Sequence, residues 1–530
     1  MFQGTAQAQS PSSDGVSIPA PIGGVNAVDP LSSMPSTDAI YLYNLIHSQY
    51  GLKVRRGYRA WVTGLTGGAV RTLIPYTRTG GANEFYACTP SGIWDISSST
   101  GSPSIDTAFG TTTGLAGWGI WTQFTILGGQ YIALCDEVNG YYTYNGTSWT
   151  NIVAGAGAGE INGANPDNFV FVCAWKDRLL FVERDTATMW YLPVGQVTGT
   201  VTSFNFGTKF KHGGYLIGLY NWTIDGGEGV DDYLVALSSG GDVVVYKGTD
   251  PSSATNFTLQ GQWYVGGFPA GRRVASSFGG DLLLITSNGV IPLSVLFSGS
   301  DVALREAYHT KKISPVVNSL LKETLNSRGW EINLLPRDDL FLIATPKRTG
   351  YPYIQYAQGL TSQGWSFLRD MPYVTGANWL GDLYFGDESG NVYVHSGTLD
   401  NVNLAGTSYS PIEFSLLTSF QHLGVPTRYK RVDFIRPVFL SGGSPVYDVK
   451  AVYDYNLLEI NLPAGTPPVG EGWDSAEWDV NVWGGTIEAL ESVRGATGIG
   501  RNVAIAMRGT TTQDLILIQI DMMLTIGGHL

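Results

Sequence analysis

One unit recurs along the middle of the chain: an apolar strand, a polar turn that usually contains glycine, and a second strand rich in tyrosine or valine. Seven such turns are centred on Gly92, Gly140, Thr188, Gly241, Gly289, Gly350 and Gly390. Subtracting neighbouring residue numbers gives intervals of 48, 48, 53, 48, 61 and 40 residues. A four-stranded propeller blade takes about 40–50 residues. The spacing therefore predicts an all-β chain with a β-propeller of six or seven blades over residues 71–404.

The longest interval contains the clearest helical pattern of this region. Ser314 is suited to cap a helix, Pro315 to its first position, and Gly329 to its end. We expect one inserted helix near residues 314–328, which lengthens one repeat without ending the series.

The segments before and after the propeller region lack this regular spacing of turns. Residues 1–36 are rich in Ser, Pro, Gly and Gln, and we expect an extended N-terminal arm. Residues 37–70 should form a short helix and an entry segment, with Thr37 as its cap and Gly51 as its stop. Residues 405–530 contain strand-length apolar stretches between Pro- and Gly-rich connections, which predicts a C-terminal β-sandwich-like module. Alternatively, these strands complete the last blade in part.

Composition limits the functions open to the chain. Charged residues make up 14% of the 530 residues, and the formal net charge is −13. A nucleic-acid-binding domain normally carries a basic surface, whereas an acidic wall repels phosphate and lets DNA pass without sticking. The alternative is that the acidic excess serves solubility alone. A low charge with 12% aromatic residues also suits a surface that partner proteins cover.

The three cysteines, Cys88, Cys135 and Cys173, each lie in an apolar stretch and are far apart in sequence. This pattern favours buried reduced thiols over disulfides or a zinc site, and therefore synthesis in a cytoplasm. The first residues lack the pattern of a signal peptide, and no run is apolar and long enough to cross a bilayer.

Charged clusters are the candidate sites. An acidic segment could be a solvated turn, a metal site or a loop that faces a channel and repels DNA, although its spacing does not match an EF-hand. It comprises Asp225, Glu228, Asp231 and Asp232. Two basic clusters could be docking patches for a neighbouring protein or plain solvated faces. They comprise Lys53, Arg55, Arg56 and Arg59 in the first, and Arg428, Lys430 and Arg431 in the second.

Motifs for catalysis are not evident. HExxH and GxSxG are missing, and no Ser/His/Asp set is suggested by spacing. We therefore expect no enzyme activity, no catalytic or metal-ligating residues and no cofactor.

Three sequence features, in a fixed order, carry a likeness to a known family. They are the N-terminal run GGVNAVDPLSSMPSTDAIYLYNLIHSQYGLKVRRGYRAW, hairpins of the type GYYTYNGTSWTNI, and the late pair YKRVDFIRPVFL and LILIQIDMMLTIGG. In these features the chain resembles the tail hub, or nozzle, proteins of short-tailed bacteriophages, over nearly its whole length.

The resemblance implies a structural virion protein made in the host bacterial cytoplasm and placed in the virion tail. It implies a homo-oligomeric ring, usually of six copies, beneath the portal and adaptor proteins. Such a ring retains the genome and then passes double-stranded DNA through its channel without sequence-specific binding, and tail fibre, spike or plug proteins dock on it. No small-molecule substrate is expected. The alternatives are a receptor- or glycan-binding tail-tip propeller and a glycoside-cleaving propeller enzyme.

Overall fold

A computed structural model describes residues 13–101, 103–225, 230–297, 308–457, 460–461 and 488–529. Sheet accounts for 51% of the chain and helix for 6%, which confirms the predicted all-β class. The chain divides into two compact units. The first, here called the three-segment unit, comprises residues 1–59, 355–369 and 396–530, and the second, the propeller unit, comprises residues 60–354 and 370–395. Within the described residues no helix is long and apolar enough to span a membrane.

The chain begins in the three-segment unit with five short strands. They are β1 (Ser13–Pro19), β2 (Gly24–Val25), β3 (Asp38–Tyr43), β4 (Leu45–Ser48) and β5 (Gly51–Val54). The helix predicted to start after Thr37 is therefore wrong. Asn44 has a φ of 58°, a left-handed conformation that interrupts any helix and separates β3 from β4. The Asn44 side chain holds this break by donating to the Glu413 carbonyl oxygen at 2.8 Å.

Six small sheets form the β-propeller, as the turn spacing predicted. The first sheet consists of β7 (Thr72–Tyr76), β8 (Glu84–Thr89), β9 (Gly92–Asp95) and β10 (Ile105–Ala108), and the second of β11 (Gly119–Ile126), β12 (Gly129–Asp136), β13 (Gly140–Tyr144) and β14 (Trp149–Asn151). The third sheet consists of β16 (Phe169–Trp175), β17 (Arg178–Glu183), β18 (Thr188–Tyr191) and β20 (Thr202–Asn205). The fourth consists of β21 (Leu216–Asp225), β22 (Val230–Ser238), β23 (Asp242–Gly248) and β24 (Phe257–Tyr264). A small parallel pair lies between them, formed by β15 (Ile161–Asn162) and β19 (Gly199–Thr200).

The fifth and sixth sheets are built differently. The fifth has three strands, β25 (Ala275–Phe278), β26 (Asp281–Thr286) and β27 (Gly289–Pro292). The sixth has β32 (Thr375–Trp379), β33 (Asp382–Gly386) and β34 (Val392–His395), with β6 (Tyr58–Val62) as its fourth strand. A strand from the start of the unit thus completes the last sheet, which closes the ring.

Between these two sheets the chain forms helices and one further hairpin. They are α1 (Leu293–Phe297), α2 (Ser314–Glu323), and the hairpin of β28 (Glu331–Leu335) and β29 (Leu340–Ala344). The inserted helix is confirmed, although Ser314 is its first residue and not its cap, and it ends at Glu323 rather than near residue 328. Pro315 lies in its first turn, as expected. Among its described residues this unit also has four single 3₁₀ turns: Pro166–Asn168, Gly207–Lys209, Lys311–Ile313 and Pro336–Asp338.

All six middle hairpins of the small sheets lie where the turns predicted them. In five of these hairpins a buried polar side chain, at the end of the first strand or directly after it, accepts a hydrogen bond from the amide two residues later. These side chains are Thr89, Asp136, Ser238, Thr286 and Asp387. A buried carboxylate or hydroxyl thus fixes each turn.

Apolar clusters join the first five small sheets in order and the sixth sheet to the first. One such cluster joins Tyr86 of the first sheet to Leu134 of the second, and another joins Trp379 of the sixth sheet to Phe85 of the first. The three cysteines are free thiols within these clusters, as predicted. Burial raises the pKa of the Cys173 thiol to about 12, so at neutral pH this thiol acts as a small apolar side chain.

The three-segment unit receives its remaining strands from the middle and the end of the chain. They are β30 (Ile354–Gly359), β31 (Trp365–Arg369), β35 (Leu399–Asp400), β36 (Ser410–Thr418), β37 (Arg428–Ser441), β38 (Val446–Tyr453), β39 (Glu488–Glu491), β40 (Arg494–Gly495), β41 (Val503–Thr511) and β42 (Leu515–His529). The seventh predicted hairpin, around Gly350, is consequently divided, because its second strand β30 lies almost wholly in this unit.

Two sheets form this unit. One has the order β39-β37-β42-β5-β4, with β1 also paired to β42, and the other continues as β30-β31-β2-β3-β36-β41-β38. The rings of Phe439 and Tyr447 connect the two sheets at a centroid distance of 5.1 Å. The predicted C-terminal module is thus built of two sheets but includes N-terminal strands. The predicted arm is part of it, since β1 pairs antiparallel with β42 from Ser13–Thr525 to Pro19–Gln519.

Candidate functional site: the central cavity of the propeller

The first strands of the six sheets, together with β28, surround a cavity of about 490 Å³. One side of its wall is apolar and aromatic, from residues that face inward on neighbouring strands. These residues are Leu73, Pro75, Ile120, Trp121, Phe171 and Tyr220. The other side is polar, with Ser276, Asn333, Thr375 and Asn378. The cavity lies within the usual size range of small-molecule sites, roughly 300–1,000 Å³.

Arg273, which comes just before β25, ties several sheets together at this cavity. Its guanidinium donates five hydrogen bonds of 2.7–3.1 Å to groups on other elements. The acceptors are the Arg71 carbonyl, Thr72 Oγ1, the Gly119 carbonyl, Glu331 Oε2 and Thr375 Oγ1. Nη1 and Nη2 carry four N–H groups in a fixed plane, and the two on Nη2 are shared among three acceptors, so one side chain can bridge four strands or strand ends.

Glu331, the first residue of β28, is the buried anion of this network. Its Oε1 accepts from the Tyr373 hydroxyl at 2.8 Å and from the Gly376 amide at 2.7 Å. Its Oε2 accepts from Arg273 and from Thr375. Both oxygens are therefore occupied by protein donors, so this carboxylate is arranged as a structural anion.

A second ion pair lies in the pocket next to the Arg273–Glu331 pair and joins residues from different parts of the ring. Arg328 Nη2 donates to Glu137 Oε2 at 2.6 Å, and Arg328 Nε donates to Glu137 Oε1 at 3.2 Å. Glu137 follows β12 in the second sheet, whereas Arg328 lies in the loop before β28. This two-point contact uses both oxygens of the second carboxylate and links distant parts of the ring.

Arg272 is the third arginine of the cavity and is bonded differently. Its side chain is buried, and Nη1 donates to the carbonyl oxygens of Ile217 at 2.8 Å and Leu216 at 3.4 Å. Among the described residues it forms no ion pair, and its Nε has no hydrogen-bond partner. Burial lowers the pKa of this guanidinium, and the charge of Glu137 offsets part of that effect.

The basic clusters predicted from sequence are only partly exposed. Arg55 is completely buried and forms a two-point pair with Asp400, at 2.7 Å and 2.6 Å. Lys430 is buried as well, and its Nζ donates to three backbone carbonyls, of Val425, Arg428 and Arg501. A docking role is therefore wrong for Arg55 and Lys430, because buried charges of this kind serve their own unit.

The other members of these clusters lie nearer to the surface. Lys53 pairs with Asp514 at 2.9 Å, and Arg431 pairs with Asp433 at 2.7 Å. Arg56 and Arg428 are half-buried, and Arg59 is exposed. Docking stays a prediction for these five residues.

The acidic segment is only partly within the described residues. Glu228 lies outside them, whereas Asp225 ends β21 and Asp231 lies in β22. Asp232 accepts from Lys176 Nζ at 2.6 Å and from Thr223 at 2.9 Å. The hydrogen bond from Lys176 lowers the pKa of the Asp232 carboxyl. Within the described residues no group of three His, Cys, Asp or Glu side chains could hold a metal ion.

The residues of the central cavity were missed by reasoning from sequence. The signal was nevertheless present: in a chain with 14% charged residues, two adjacent arginines directly precede an apolar strand in GRRVASSF. Glu331 likewise opens the strand EINLL. Charge at the first position of a buried strand indicates a partner across the fold, although the sequence does not say which one.

Comparison with known proteins gives only weak likenesses. No family model and no curated protein matches the chain. Among solved structures, Raptor from Chaetomium thermophilum is similar at 11% identity over 64% of this chain, with a TM-score of 0.35. BBS1N in complex with ARL6DN is similar at 12% identity over 46% of this chain and 73% of that one, with a TM-score of 0.28. The chain spans about 29% of the Raptor chain. Likenesses this weak carry no argument about function.

Proposed function

We propose that the chain is a structural subunit of a bacteriophage tail hub, or nozzle. Six copies would form a ring-shaped channel beneath the portal and adaptor proteins, and tail fibre, spike or plug proteins would dock on the ring. The channel retains the packaged genome and later passes it to the host cell. The order of the three sequence features described above supports this proposal, and so does the low content of charged residues.

The observation that carries the proposal is the state of the two cavity carboxylates. Propeller glycosidases need one carboxyl group that can transfer a proton and another group that can act as nucleophile or base. Glu331 in this cavity and Glu137 in the adjoining pocket each have both oxygens occupied by protein donors. The ion pairs cross-link strands and loops from different parts of the propeller unit, which favours a rigid building block over an enzyme.

Surface groups also support assembly with other proteins. Arg59 and Arg431 are exposed on the three-segment unit, in a chain with a net charge of −13. The exposed tryptophans that would favour a glycan-binding surface are not found among the described residues. Basic side chains on an acidic protein are suited to contact acidic neighbours.

Native mass spectrometry and electron microscopy of the purified chain test the proposal directly. We expect a particle of about 343 kDa, six times the 57.1 kDa chain, with an open centre in averaged images. Charge reversal by Arg59→Glu with Arg431→Glu should leave the ring intact, while it weakens capture of co-expressed neighbouring tail proteins. Arg337→Glu, also an exposed arginine but in the propeller unit, is the matched control.

A chain that stays monomeric both alone and with co-expressed tail proteins would overturn the proposal. Specific binding on a glycan array would favour the receptor-binding alternative. Turnover of a chromogenic glycoside that is lost on one carboxylate substitution would favour the enzyme.

A further inference from the structure

Charge is not balanced in the centre of the propeller. Three arginines line the cavity or its adjoining pocket, Arg272, Arg273 and Arg328, against the two carboxylates Glu137 and Glu331. Each carboxylate is paired with one arginine, Glu331 with Arg273 and Glu137 with Arg328. Among the described residues, one positive charge therefore remains without a paired anion, inside a protein whose net charge is −13.

That charge is on Arg272, and its surroundings are built around it. The residue is 8% exposed. Two carbonyl oxygens fix the Nη1 end, and the Tyr220 hydroxyl donates to the backbone oxygen of Arg272 at 2.6 Å. Carbonyl oxygens satisfy donors but do not neutralise a charge, and a buried charge without a counterion is costly. The buried Nε still lacks an acceptor within the described part of the chain.

The wall next to Arg272 is suited to an apolar group. Phe171 and Tyr220 lie edge to face, with ring centroids 5.3 Å apart, and Trp121 lines the same cavity. These three aromatic side chains make this part of the wall apolar. The cavity thus combines one unpaired guanidinium with an apolar wall and a volume of about 490 Å³.

We propose that the central cavity binds a small monocarboxylate, with its carboxylate on the guanidinium of Arg272 and its apolar body against Trp121, Phe171 and Tyr220. One cation with few free donors matches one carboxylate, whereas phosphate would need more donors than this wall offers. The ligand is bound and not transformed. The proposal does not depend on the role of the chain in a phage tail.

Calorimetry with three probes tests this inference: 3-phenylpropionate, its neutral amide 3-phenylpropanamide, and inorganic phosphate. We expect 3-phenylpropionate to bind at one site per chain, at least tenfold more tightly than either of the other two. Arg272→Met should weaken its binding at least tenfold, whereas Arg59→Met, which removes an exposed arginine, should leave the affinity unchanged.

Arg272→Met could also disturb the propeller, so a second variant blocks the cavity and keeps the arginine. Ser276→Phe adds a ring to the cavity wall and should weaken binding by a similar factor. Equal affinity for acid and amide, tighter binding of phosphate, no binding up to about 10 mM probe, or unchanged binding in a folded Arg272→Met or Ser276→Phe variant would each overturn the proposal.

Discussion

At the scale of single residues, this chain uses its few arginines as internal cross-links. Arg273 joins strands of the propeller unit, and Arg55 does the same in the three-segment unit, where Nε donates to Asn44 Oδ1 and the two Nη atoms bind Asp400. In both cases the planar guanidinium meets several acceptors at once, which a lysine could not do.

The Arg55–Asp400 pair gives a prediction for stability. Arg55→Met leaves the carboxylate of Asp400 buried without its counterion, which should lower the free energy of unfolding by about 3–5 kcal/mol. The urea-unfolding transition of the three-segment unit, followed by far-UV circular dichroism, measures this loss. The double variant Arg55→Met with Asp400→Leu should recover a large part of it, because both charges are then removed.

Arg59→Met is the control for this pair, because Arg59 is exposed. We expect a change within about 0.5 kcal/mol. If the Arg55 and Arg59 variants unfold at the same urea concentration, the buried pair does not stabilise the unit in the way its geometry indicates.

At the scale of elements, hairpins were predictable from sequence and distant pairings were not. The sequence signal for a hairpin such as β12–β13 is local, because it consists of the apolar strands on each side of Gly140. The pairing of β1 with β42, or of β6 with β34, depends on partners hundreds of residues away, and local periodicity does not identify them.

The segment after Thr37 shows a second limit. A helix was expected there because Thr37 is suited to cap a helix and Gly51 to end one. The tertiary structure instead places β3 beside β36 and stabilises the turn at Asn44 through bonds to distant residues. The arginines of the central cavity were missed for the same reason, since their partners come from other sheets.

Removal of β1 should expose an edge of β42. In a variant that lacks residues 2–19, the backbone groups of Gln519–Thr525 on that side lose their partner strand. An unpaired edge in an apolar strand favours pairing between molecules. We expect this variant to form larger species in size-exclusion chromatography and to be cut more readily by proteases near its C-terminus.

Deletion of residues 2–12 alone is the control, because it leaves β1 in place. If the longer deletion elutes like this control and resists protease equally, β1 does not protect β42.

At the scale of the whole molecule, ring closure rests on two devices. One is the fourth strand that β6 adds to the last sheet, and the other is the network of Arg273 in the centre. The strand holds the outside of the ring, and the arginine holds the inner ends of strands from different sheets. Because of these two devices, we expect the propeller unit to unfold in one cooperative transition.

Arg273→Met should consequently destabilise the propeller unit as a whole. Glu331 would lose its counterion, at a cost of about 3–5 kcal/mol. For a unit of this size that corresponds to a fall in melting temperature of roughly 4–7 °C in differential scanning calorimetry. Arg337→Met, which removes an exposed ion pair with Asp382, should cost less than about 1 kcal/mol. An equal effect of the two substitutions would contradict the central role of Arg273.

The pairing of β1 with β42 also sets an order of events in the living cell. Ser17 and Asp521, which are hydrogen-bonded in these strands, are 504 positions apart. At a translation rate of about 5–20 residues per second, the first strand leaves the ribosome roughly half a minute to two minutes before its partner has been made. During that time the sheets of the propeller can fold one after another, while β1 has no partner strand. A chaperone that shields unpaired strands during synthesis would therefore be needed for the segment that contains β1.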